Sequence, residues 1–203
     1  MNEPMKAPMN TPLQARMDVW QPFVQQRVFR RLMEAFAYPG RIEEIAAANE
    51  PVDALTAVLA TLLDGEVSLA DPEGLVAGEY WPRLEAKAAA PEKADFILAQ
   101  GARAVSIEPR LGSLESPERS ATLILRVAAL GQGAAYGLSG PGVNGEDDSR
   151  ASELRVTGLD PAWLAAREGW VSAFPLGVDF ILVDDGRAAA LPRTTRIAMK
   201  GDR

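Results

Sequence analysis

The sequence predicts an α/β fold: a single domain with one mixed β-sheet flanked by helices. Three observations carry that expectation. Stretches with helical spacing alternate along the chain with short β-branched and aromatic runs. Residues 120–130, "SATLILRVAAL", are apolar almost throughout, as a strand buried on both faces and central to a sheet would be. Residues 174–197, "FPLGVDFILVDDGRAAALPRTTRI", read as a strand, an Asp-Gly turn and a returning strand, which breaks any purely parallel order.

The elements follow in order. Residues 1–20 hold four methionines and three prolines without periodicity and are expected to form a flexible arm before a single domain over 21–200. Pro22 suits the first turn of a helix. Val24, Val28, Leu32 and Phe36 recur every four residues, with Phe29 and Met33 beside them, and Pro39-Gly40 ends that helix. Residues 51–64, "PVDALTAVLATLLD", are apolar around nearly the whole circumference. This second helix should be buried by the chain or by a partner, with Gly65 as its stop.

"EVSLA" (66–70) and "ADFILAQ" (94–100) read as short buried strands, with a helical stretch between them at Leu84–Ala89. Six glycines fall between Gly131 and Gly145, around a short strand "AAYGL", and "SELRVTGL" is another strand. Asp160-Pro161 opens a helix, with Asp as N-cap and Pro at its first position. The Asp-Gly hairpin closes the domain.

Composition excludes several chemistries. The 203 residues contain no Cys and no His. A thiolate nucleophile, an imidazole base, a disulfide framework and an ordinary zinc site are therefore ruled out for this chain, and no metal is expected. The lysines are Lys6, Lys87, Lys93 and Lys200. A formal charge of -7 argues against nonspecific binding to nucleic acid or to an anionic membrane surface. No apolar run approaches the roughly 20 residues that span a bilayer, and no signal-peptide core stands at the start, so a cytoplasmic location is expected. The charge is uneven: after Gly186, Arg187, Arg193, Arg196, Lys200 and Arg203 stand against Asp202 alone. That basic end must meet an anion: a ligand, a partner or the protein's own acidic face.

Three motifs invite chemistry. "LSGPGVNGEDD" (138–148) has the glycines of a phosphate cradle, but it lacks a P-loop lysine, and Glu146, Asp147 and Asp148 would repel phosphate. "GSLESPERSAT" (112–122) is explained as a solvated loop, and Asp184-Asp185 as turn chemistry. "LPRTTRI" (191–197) is the sharpest. Pro192 ends a strand, and Arg193, Thr194, Thr195 and Arg196 then offer guanidinium forks and hydroxyls to a phosphate or phosphonate. The alternative is that the arginines pair with carboxylates across a subunit interface, and composition slightly favours it.

"FRRLMEAFAYPGRI" (29–42), "SATLILRV" (120–127), "LSGPGV" (138–143) and "FPLGVDFILV…LPRTTR" (174–196), in that order, resemble the PhnH subunit family of the bacterial carbon–phosphorus lyase system. The resemblance spans about residues 22–197, and Phe36 stands where the family pattern has Met. It implies a core-complex subunit, assembled with PhnG, PhnI and PhnJ; the nearly all-apolar helix 51–64 and the uneven charge add the expectation of at least a homodimer alone. That complex supports displacement of adenine from ATP by methylphosphonate to give α-D-ribose 1-methylphosphonate 5-triphosphate. It also implies a fold resembling the large domain of pyridoxal-phosphate-dependent transferases without the cofactor. The lysine inventory agrees, since none of the four sits on a convincing buried strand end. Two roles are open: a structural and assembly subunit, or one contacting ATP or phosphonate through Arg193–Arg196.

Overall fold

A computed structural model describes residues 19–46, 52–143 and 153–199. The arm expected at 1–20 lies outside the described residues up to 18, as do Pro51, Glu146, Asp147, Asp148 and Lys200. Val19 and Trp20 belong to the folded body. Val19 is buried, and the Trp20 ring lies under the Arg83 guanidinium at 4.4 Å.

Helix α1 (Pro22–Ala37) buries Val24, Val28, Leu32 and Ala35, one stripe of a 3.6-residue period, and leaves Phe36 half-buried. Helix α2 (Ala54–Leu62) is capped by Asp53, whose side chain accepts the Thr56 N–H at 2.9 Å. It ends ahead of Gly65, where Leu63 turns extended and drops into the core. Ala54, Leu55, Ala57, Val58, Leu59 and Ala60 are all buried by this chain's own α1 and sheet, so α2 needs no partner to cover it.

Three readings are corrected. The helix placed at Leu84–Ala89 instead runs Trp81–Leu84 (α3), because Glu85 adopts the left-handed conformation and stops it. Lys87–Ala88 then extends as a strand, β3, since the open edge of β2 (Ser68–Ala70) offers it parallel hydrogen bonds. The apolar run 120–130 is split between strand β5 (Thr122–Arg126) and the start of β6 (Ala129–Ser139). The single sheet becomes two, because β6 turns away to pair antiparallel with β7 (Glu153–Thr157) and with β10 (Arg196–Met199). Gly133 accommodates a bulge within β6. It has φ +91° at a register shift between Leu130 and Ala134, and a Cβ there would overlap the Val156 carbonyl.

The main sheet is mixed and has seven strands in the order β1-β9-β8-β5-β4-β2-β3. Here β1 is Glu43–Glu44, β4 Phe96–Gln100, β8 Asp179–Val183 and β9 Arg187–Leu191. Strand β5 is the middle one, parallel to β4 and β8, as its apolar run predicted. The β8–β9 hairpin forms as expected, antiparallel around Asp185-Gly186. Side chains alternate. Leu98, Ile124, Ile181 and Val183 face α1 and α2, while Ile97, Leu123, Leu125, Phe180 and Leu182 face the small sheet and helix α4 (Pro161–Trp170). Both faces are covered, which is why the parallel strands lack a polar face. Among the described residues no helix is long and apolar enough to cross a membrane.

Candidate functional site

The motif at 191–197 turns a corner between the two sheets. Pro192 ends β9, and the Thr195 N–H closes a turn on the Pro192 carbonyl at 2.8 Å. The four predicted residues do not share one face. Arg193 is mostly buried, Thr194 half-buried, Thr195 buried, and Arg196 exposed on β10.

Arg193 uses every N–H of its guanidinium inside the chain. Nε and Nη2 meet Asp179 at 3.4 and 2.6 Å, Nη1 donates to the Pro117 and Pro175 carbonyls at 2.9 and 3.3 Å, and Nη2 also donates to Ser120 Oγ. Its backbone N–H adds a bond to Asp179 at 2.7 Å. One side chain thereby ties together the 112–122 loop, the turn before β8, the first residue of β8 and the end of β9. The carboxylate that answers Arg193 comes from its own chain.

Arg167 grips the same corner from the opposite side, and the sequence reading missed it. It lies on α4 and is buried, donating to the Thr195 carbonyl at 3.0 Å and to the Leu191 and Pro192 carbonyls. Burial pushes its guanidinium down to about 10, and the charge of Asp179 opposes that shift. Its Nε and Thr195 Oγ1 are buried without a protein partner. The signal was available: Trp163, Arg167 and Trp170 follow one helical stripe, with a charge where an apolar residue belongs.

The corner also lies at the amino-terminal edge of the parallel strands, since Thr122 and Asp179 open β5 and β8 side by side. Open α/β sheets place ligands at the opposite, carboxyl edge. At that edge Arg126 stands 3.7 Å from Asp53 and 3.6 Å from Asp185, already between two carboxylates. Asp184 next to it is a turn anchor. It accepts the N–H groups of Leu130, Gly186 and Arg187 and the Arg187 guanidinium at 2.7–3.1 Å. Burial alone would raise its carboxyl, but those bonds outweigh it and hold the group below the ordinary carboxylate range. Among the described residues no three His, Cys, Asp or Glu side chains gather as a metal site.

Cations in excess occur elsewhere, on the outer side of α1. A groove of about 610 Å³ is lined by Phe23, Gln26, Arg27, Arg30, Arg31, Glu34 and Arg41. Beneath it Glu43 of β1 is almost wholly buried and braces two of the arginines, Arg31 at 3.2 Å and Arg41 at 2.7 Å. Arg41 approaches off the hydrogen-bond direction, so that contact is ionic only. Arg30 meets no carboxylate among the described residues, so the groove keeps a net positive charge. The signal in the sequence was that Phe23, Phe29 and Met33 fall outside the Val24–Val28–Leu32 stripe.

Comparison with known proteins gives a consistent answer. The sequence model of the family described as "Bacterial phosphonate metabolism protein (PhnH)" matches residues 18–198. A protein of Stutzerimonas stutzeri named as C-P lyase subunit protein HtxG is 45% identical over 190 residues, covering 94% of each chain. A protein of Rhizobium meliloti (strain 1021), named alpha-D-ribose 1-methylphosphonate 5-triphosphate synthase subunit PhnH, is 31% identical over 198 residues, covering 86% of this chain and 90% of its own.

Proposed function

The chain belongs to the PhnH family of bacterial phosphonate-metabolism proteins, and we propose that it is a subunit of a carbon–phosphorus lyase complex that holds companions in place rather than carrying the chemistry. In this reading the companions are PhnG, PhnI and PhnJ subunits, and the chain is a cytoplasmic homodimer when alone. The assembly forms α-D-ribose 1-methylphosphonate 5-triphosphate from ATP and methylphosphonate with release of adenine. The names of both relatives support the assignment to such a system.

The observation that carries the structural role is the internal neutralisation of Arg193, the first arginine of the sharpest cationic motif. Arg193 has no N–H left for a substrate, and Arg126 at the other strand edge is already shared by two carboxylates. A fold of the pyridoxal-transferase large-domain kind without its cofactor fits the same reading. Lys87 and Lys93, the lysines among the described residues, are both exposed, and neither offers an enclosed amine for a Schiff base.

The test is reconstitution. Co-expressed with PhnG, PhnI and PhnJ, the chain should co-purify, and omitting it should lower adenine release from ATP and methylphosphonate at least tenfold. Alone it should sediment as a dimer and release no adenine. Turnover by the isolated chain, or failure to co-purify, would defeat the proposal.

A second reading, direct contact with ATP or phosphonate through Arg193, Thr194, Thr195 and Arg196, draws on one observation: Arg196 is exposed and unpaired among the described residues. It requires calorimetric binding of ATP or methylphosphonate that Arg196→Ala weakens at least tenfold. Binding that ignores this substitution removes it.

A further inference from the structure

The outer side of α1 combines two features that a solvent-facing helix rarely shows together. The first is apolar exposure. Phe23, Phe29 and Met33 on α1 and Tyr38 just after it are 57%, 49%, 55% and 45% exposed, and they are four of the seven large apolar side chains exposed among the described residues. Single exposed apolar residues need no explanation, but a cluster along one element does. The second is charge. Four arginines line the groove beside Phe23, against two carboxylates, Glu34 at its rim and the buried Glu43 beneath it, so positive charge remains in excess. In a chain of net charge -7 this is a local reversal of sign.

Resting on the complex-subunit reading above, we infer that this face docks an acidic segment of a companion subunit that also carries large apolar side chains. The charge selects the partner's sign, because exposed arginines steer and orient a carboxylate-bearing segment. The apolar side chains select its size. Phe29 and Met33 lie on the flank of α1 away from the groove, so a compact anion seated among the arginines would leave them wet, whereas an extended segment covers both. Aromatic residues and arginine are also the types that dominate interface energetics.

A second copy of this chain fits poorly. A two-fold contact through this face would set the patch against itself, arginines opposite arginines. The buried Glu43 carboxylate pre-positions Arg31 and Arg41, which reduces the ordering cost of docking.

The experiment uses the full chain co-expressed with PhnG, PhnI and PhnJ, comparing wild type with Arg30→Glu, with Met33→Ser, and with Arg119→Glu as a charge-matched control at an exposed position elsewhere. Thermal melts verify that each variant is folded. Arg30→Glu and Met33→Ser should each lower affinity for the companions at least tenfold, and added salt should weaken the wild-type and Arg119→Glu complexes more than the Arg30→Glu complex. Several results would overturn the inference. These are wild-type retention by both α1 variants, loss of the homodimer with companion binding intact, and loss of calorimetric ATP binding with companion binding intact. A wild-type chain that never co-purifies sinks the complex-subunit reading too, whereas co-purification that both α1 variants preserve sinks this inference alone.

Discussion

Arg193 shows how one side chain can set the shape of a corner. Its partners stand 14, 18, 73 and 76 residues away along the chain, so its five bonds join segments both near and far in sequence at one point. Arg193→Ala would leave Asp179, itself mostly buried, without its ion-pair partner, with only the more distant charge of Arg167 to offset it. The expected cost is about 3 kcal/mol, or about 6–12 °C in Tm for a chain of this size. Arg193→Lys should recover only part, because an ammonium cannot reach five acceptors in one plane. Thermal melts of the two variants decide this, and equal stability of both with wild type would show the corner to be dispensable.

Asp184 carries a pH prediction at the same scale. Its carboxyl is held below the ordinary range in the folded protein, so its stabilisation is present above the unfolded value. It is lost as pH falls through the folded one. Urea midpoints of wild type should therefore drop more steeply between about pH 5 and 2 than those of Asp184→Asn. Parallel slopes would contradict it.

At the scale of elements, two connections set the relation of helices to strands. Asp53 caps α2 with one carboxylate oxygen. Asp53→Ala should cost about 1 kcal/mol in urea unfolding, slightly more if the facing Arg126 matters. Gly142 lies in the loop after β6 with φ +77°, and an added Cβ would overlap the Ala37 carbonyl oxygen at the end of α1. Gly142→Ala should therefore destabilise by about 1–3 kcal/mol, read as a lower urea midpoint. The two glycines of "LSGPGV" are thus explained by close packing, Gly142 on the end of α1 and Gly140 on the Thr194 carbonyl.

At the scale of the whole molecule, one mixed sheet is covered on one face by α1 and α2 and on the other by a three-stranded sheet and α4. That arrangement accounts for the apolar circumference of α2, which is a core element. The densest exposed apolar cluster among the described residues lies instead on α1, at Phe23, Phe29 and Met33. The interaction face is thus displaced from the helix that hydropathy singles out to the one whose polar side is studded with Phe, Met and Arg.

The sequence by itself determined what depends on near neighbours: the helical period of α1, the Asp160 cap, the central place of β5 and the Asp-Gly hairpin. Each rests on side-chain spacing or backbone preference within a few residues, and such preferences survive without tertiary context. It also determined that no imidazole or thiol is present. The tertiary structure decided whom the charges meet. Whether Arg193 faces solvent or Asp179, whether Lys87 sits in a helix or on a strand edge, and which side of α1 stays bare all depend on segments brought together only by folding. A guanidinium is satisfied by whatever acceptors the closed chain delivers, and sequence spacing carries no record of that delivery.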